Sequence, residues 1–221
     1  MWVYIYADSF SMWQIWYWPL QEDLLDASGN GNDGSWYSGT GTFWTVANKT
    51  WARVTAPTRN TTQHVVTPLK ISQWPVSFCW WINFSIMNTD CWHGLLTTSY
   101  NAGQTSFTIW TRPADNNYPS AGAIYSTTAR IKNWTVSTWT RYFRCITADS
   151  SNVKAYENWV LINTYTSWAV NTMWDVLRLW CAMIDSWQSS WSWTDGYIRH
   201  IAVYNRVLSA DEVLDFYTRT S

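Results

Sequence analysis

Glu22, Glu157 and Glu212 are the only glutamates in this chain. A sheet protein that cleaves glycans projects two carboxylates across the scissile bond, one as acid and one as nucleophile or base. Glu22 lies in an acidic loop, Glu157 stands alone beside a hairpin, and Glu212 occupies a helix-capping position; no E-x-D-x-x-E strand pattern brings two of them together. His64, His93 and His200 are far apart and have no partner at relay or ligand spacing. For His200, beside Arg199, a satisfied position in a sheet is the simpler reading. No G-x-S-x-G elbow is present,. The residues predict a protein without catalytic machinery.

A different chemistry is written in Asp26-Ala27-Ser28-Gly29-Asn30-Gly31-Asn32-Asp33-Gly34. Asp26, Ser28, Asn30 and Asn32 place hard oxygen atoms at alternate positions, and the intervening glycines let carbonyls join them around one calcium ion. The twelfth position is Tyr37 rather than the glutamate of an EF-hand. A tight Asx-turn loop without an ion accounts for the same residues.

The chain has 21 Trp and 9 Gly, against roughly 15 Gly for a protein of this length at an average usage of about 7%. Trp13, Trp16, Trp36, Trp44, Trp51, Trp74, Trp92, Trp110, Trp134, Trp159, Trp168, Trp174, Trp180, Trp187 and Trp191 mostly adjoin Ser, Thr, Asn or Asp, the usual neighbours of turn glycines. Asn158-Trp159 is the clearest case, since it joins Val153–Glu157 to Val160–Thr164 where Asn-Gly is expected. Both central residues of a type I′ turn need φ > 0, which Gly reaches freely and a bulky aromatic does not. A gene that uses UGA for glycine, read with a table that makes UGA tryptophan, produces this pattern; a Trp-rich binding protein is the alternative.

These residues must be positioned by short runs of β-branched and aromatic residues between turn signals, the pattern of an all-β sandwich. The expected strands are Gln14–Leu20, His64–Val66, Val76–Phe84, Leu95–Ser99, Phe107–Thr111, Thr128–Ile131, Trp139–Thr147, Val153–Glu157, Val160–Thr164, Leu177–Met183 and Gly196–Tyr204. One short helix is expected after Leu208. There Ser209 and Glu212 form a capping box, and Val213, Phe216 and Tyr217 share a face.

Length suits one domain over 1–221, with 1–13 as an N-terminal extension,. Net charge is −1 and the 14 Lys+Arg do not cluster, so nucleic acid is not an expected partner. No apolar run approaches the ~20 residues of a membrane helix, and no membrane insertion is expected. The first twenty residues lack Lys and Arg and do not read as a secretory signal. The expectation is export by another route, a virion component, or a piece of a larger surface protein. Cys79, Cys91, Cys145 and Cys181 show no metal-ligand spacing,. Cys79, Cys145 and Cys181 fall in strand-like runs and read as buried free thiols.

Tyr17-Trp18-Pro19-Leu20, the Leu25–Gly34 loop, Val76-Ser77-Phe78 with Trp81-Ile82-Asn83, Thr138-Trp139, Val153–Asn158, and Asp195-Gly196-Tyr197-Ile198 through Tyr204–Val213 resemble the laminin-G-like, concanavalin A-like lectin/glucanase jelly roll. The match runs in order from about Gln14 to the C-terminus. Arg199 and His200 stand where such domains often carry acidic residues. The resemblance implies two curved antiparallel sheets and a glycan-binding or adhesive role on a surface or virion protein, with a glycan or surface protein as partner. A structural assembly protein, oligomerising through its jelly roll, is the alternative. Sugar sites combine an exposed aromatic face with a few Asn, Asp or Arg partners. Tyr100, Asn101, Arg112, Asp115, Asn116, Asn117 and Tyr118 form the most polar and aromatic loop region, and are the expected ligand contacts; an ordinary solvated loop is the plain alternative.

Overall fold

The computed structural model describes residues 14–21, 23–36, 42–46, 49–54, 65–70, 75–86, 93–97, 108–112, 121–125, 137–166, 176–179 and 195–221. The chain folds as an all-β, antiparallel two-sheet protein with a single C-terminal helix among the described residues.

One sheet has eight strands in the order β12 (Val160–Thr166), β11 (Asn152–Glu157), β10 (Arg141–Ala148), β6 (Val76–Ile86), β14 (Asp195–Tyr204), β4 (Lys49–Val54) and β3 (Thr42–Val46); β1 (Gln14–Trp18) also pairs with β14. β4 takes Gly196–Ile198 and β1 takes Ile201–Tyr204, so the two share one side of β14. The other sheet runs β2 (Ser35–Trp36), β5 (Val65–Lys70), β13 (Val176–Leu179), β7 (His93–Thr97), β8 (Thr108–Arg112) and β9 (Ala121–Tyr125).

β6 reads VSFCWWINFSI, nearly continuous apolar sequence, because it is central and both its faces are covered. Side chains alternate between faces along a strand. Cys79 and Trp81 join Phe143, Cys145, Tyr156, Tyr197, Ala202 and Tyr204 in a cluster with Leu208, Val213 and Phe216 of the C-terminal segment. Phe78, Trp80, Ile82 and Phe84 fall on the opposite face and are equally buried. Cys79 and Cys145 are register partners and both are free thiols, as expected from their strand positions. Cys91 and Cys181 lie outside the described residues.

Helix α1 (Ala210–Thr220) begins where the capping box places it. Ser209 Oγ accepts from the Glu212 N–H at 3.3 Å, and Glu212 Oε2 accepts from the Ser209 N–H at 2.8 Å. Val213 and Phe216 are buried and Tyr217 packs beside them. Burying such side chains contributes about 1.5–3 kcal/mol each, which holds a helix too short to be stable alone.

Several expected boundaries shift by one or two residues, and β2, β3, β4 and β9 were not expected at all. Trp44 and Trp51 are directly opposed in the β3–β4 pair. Trp16, Trp36 and Trp110 also lie in strands, so the backbone at these five sites makes no demand for glycine. Reading Trp36, Trp44 and Trp51 as turn positions concealed β2, β3 and β4, because an aromatic residue suits a pleated surface, whereas Trp16 and Trp110 fall in strands expected from the sequence. Asn158 and Trp159 have φ of 45° and 66°, as a two-residue type I′ hairpin between β11 and β12 requires. The expected strand Thr128–Ile131 lies outside the described residues.

Candidate functional site

Three places bring polar chemistry together. In the first loop, Asp26 anchors the turn rather than extending towards solvent. Its Oδ1 accepts from the Tyr17 and Ser28 N–H groups at 3.1 and 2.9 Å. Its Oδ2 accepts from Asn32 N and Nδ2 at 3.0 and 3.4 Å. Asn30 Nδ2 donates to Ser28 Oγ at 3.1 Å, and Gly29 and Gly31 have φ of 85° and 70°. Burial alone would raise the Asp26 carboxyl; hydrogen bonds from Ser28, Tyr17 and Asn32 outweigh it and hold the group below its ordinary value. The Asp26 carboxylate thus serves N–H donors of Tyr17, Ser28 and Asn32, and Asn30 is bonded to Ser28. Among the described residues no group of three or more His, Cys, Asp or Glu side chains could hold a metal.

The second place is a buried chain on the helix-covered face. Tyr17 Oη and His200 Nδ1 are 2.5 Å apart, with the two rings stacked at 5.9 Å. The Arg199 guanidinium contacts His200 Nε2. A guanidinium only donates, so Nε2 accepts and the ring proton resides on Nδ1, which donates to Tyr17. The neutral imidazole is locked in one tautomer. His200 is the satisfied sheet residue the sequence suggests, placed at a register break with φ of 50°.

The third place is the end of that face beyond α1. Arg141, Asn83 and Tyr197 are register neighbours across β10, β6 and β14, and directly opposed residues project to one face; Arg53 is the next register position, on β4. Tyr197 and Asn83 are buried. Asn83 Oδ1 has no hydrogen-bond partner among the described residues. Trp139 is 64% exposed, its ring centroid 6.4 Å from that of Tyr197. The Trp139 N–H donates to Phe84 O at 2.7 Å and holds the residue at φ of 59°. Arg141 is exposed at the first position of β10. An outward indole, a buried amide and an exposed guanidinium form the combination that binds a polar ring.

The ligand contacts expected from the sequence are not among these residues. Arg112 ends β8 opposite Ala121; Tyr100, Asn101, Asp115, Asn116, Asn117 and Tyr118 lie outside the described residues. Trp139 and Arg141 stand two apart at the entrance to β10, an aromatic beside a cation.

No protein-family profile matches the chain, and no curated protein matches it. Solved structures do match. Domain 4 of AbnA, a GH43 extracellular arabinanase from Geobacillus stearothermophilus, solved in complex with arabinotriose, superposes with a TM-score of 0.72 at 16% identity, covering 92% of this chain and 98% of that one. The botulinum neurotoxin type G receptor-binding domain gives 0.65 at 16% identity, covering 94% of this chain and 51% of the other. The serotype C1 binding domain gives 0.68 at 13%, covering 96% and 53%. This chain has their β-sandwich fold. It spans about half the length of the toxin binding domains and nearly all of the arabinanase domain. Among the described residues no helix is long and apolar enough to cross a membrane.

Proposed function

We propose that this chain is a non-catalytic carbohydrate-recognition module of a secreted, cell-surface or virion protein. The observation that carries the reading is the outward Trp139 indole beside Arg141 on a sheet face. The fold supports it, being shared with an arabinanase domain solved with arabinotriose and with the binding domain of a neurotoxin whose cell entry depends on two ganglioside molecules. Two of the three glutamates point the same way: Glu157 is paired with Arg144 and Glu212 with Arg206 and the helix cap; Glu22 lies outside the described residues. A glycan array read with and without Ca²⁺ tests the proposal. Binding of a defined glycan supports it; no binding to any glycan removes it.

A second reading, assembly, has its own observation. β12 is an edge strand of the eight-stranded sheet and exposes Val160 and Leu161 next to Trp159. An apolar edge is a template for a second chain. Light scattering that finds a stable oligomer, with no glycan bound, favours it.

A further inference from the structure

We propose that the end of the helix-covered face beyond α1 is a site for an acidic sugar, a uronic or sialic acid whose ring lies on Trp139 and whose carboxylate pairs with Arg141. The inference rests on the carbohydrate-recognition reading and specifies its site and ligand class. Trp139 has a left-handed backbone and an exposed ring. Tyr197 lies towards one side of the indole, leaving exposed ring surface for the apolar side of a pyranose. Asn83, on the same face, is buried, so the exposed groups that a sugar would meet here are the Trp139 ring and Arg141.

The charge on this face selects an anion. Arg141 pairs with Asn83 and Arg199 with Trp81, which puts both arginines on this face. Like charges on one face are relieved by an anion beside them. Three carboxylates are engaged elsewhere: Glu157 with Arg144, Glu212 with Arg206 and Asp215 with Arg219. The C-terminal end of α1 adds partial negative charge near Trp81, less than the arginines supply.

The test is an array of size-matched neutral and carboxylated glycans, probed with the full chain and with Trp139→Ala and Arg141→Ala. Both side chains are exposed, and unchanged thermal unfolding verifies that the variants fold. The expected result is preference for carboxylated glycans, weakened by added salt, with about tenfold or greater loss in each variant, the size of one charge-assisted contact. Binding of neutral glycans that Arg141→Ala leaves intact overturns the acidic-sugar assignment while the recognition reading stands. Binding that neither variant weakens overturns the site. No glycan binding removes both.

The β11–β12 hairpin independently carries a second inference. We infer that residue 159 is glycine in the protein its own host makes, from a UGA codon read there as glycine. Asn158 and residue 159 both have φ > 0, in a turn that demands glycine at least at its second position. Mass analysis of the hairpin peptide from the natural source, beside the codon, decides it. Glycine with UGA supports the inference, and tryptophan or UGG overturns it. The same digest reports residue 139, where glycine would remove the stacking platform proposed above.

Discussion

The Trp81 indole N–H donates to Thr220 Oγ1 at 2.7 Å, both groups buried and 139 residues apart. This bond fastens the end of α1 to the middle of the eight-stranded sheet. Tyr217 reinforces it by stacking on Trp81 at 5.3 Å. Thr220→Val keeps the shape but leaves a buried donor without its acceptor, which costs about 1–3 kcal/mol. The urea midpoint should fall accordingly, and a value unchanged from the parent protein would contradict the arrangement.

Arg144 and Glu157 are paired across β10 and β11, with the arginine 2% exposed. Burial pushes the guanidinium down, to about 9, with Tyr142 acting against the shift, and the Glu157 carboxylate lies against the guanidinium. Glu157→Gln leaves an uncompensated charge and should destabilise by about 3 kcal/mol, whereas a double replacement by Met and Leu should recover most of the loss. Equal stability of the single and double variants would show that the pair is energetically silent.

The Asp26 carboxylate accepts four N–H groups. Asp26→Ala should therefore cost about 2 kcal/mol and lower Tm by roughly 4–8 °C. Because its folded pKa is depressed, the contribution is present above the ordinary aspartate value of about 3.9 and lost as pH falls below it. Two readings of the loop differ on calcium. With the carboxylate engaged by N–H donors, EDTA should move Tm by less than about 1 °C. A larger Ca²⁺-dependent rise would place an ion among Asp26, Ser28, Asn30 and Asn32.

Burial raises the pKa of Tyr17, Tyr156, Tyr204 and Cys79, with Cys79 and Cys145 adding to the effect at Tyr156 and Tyr204. For an acid raised in the folded state, the unfolded chain ionises first. Stability is complete below the unfolded values, about 8.5 for Cys and 10 for Tyr, and declines above them. Burial lowers Arg144 and Arg199, which acts in the opposite direction. Four groups against two predict a net fall in Tm between pH 9 and pH 11, measurable by circular dichroism, and a rising Tm would contradict the balance.

A Cβ on Gly196 would lie 2.5 Å from the Asn83 carbonyl oxygen and 3.3 Å from Phe84 Cα. Gly196→Ala must push β14 away from β6 and should cost about 2–3 kcal/mol. It should also weaken ligand binding, because Tyr197 and Asn83 are register partners beside the clash. Thermal unfolding and the glycan array read the two effects separately.

Local chemistry made much of this protein legible from its residues. The capping box of Ser209 and Glu212, the β-branched runs of β10 to β12 and the Asx spacing around Asp26 act over a few residues, so sequence reading located each of them. The Asn158-Trp159 turn was equally visible, because a type I′ hairpin constrains φ at two adjacent positions. What was not legible depends on register. Arg141, Asn83, Tyr197 and Arg53 become neighbours only because β10, β6, β14 and β4 align at those residues, and a slip of one position would turn each side chain to the other face. Sequence alone thus determined the class of fold, its helix and its tightest turns; the tertiary structure chose the exposed Trp139 and Arg141, since strand pairing is set by contacts made far along the chain.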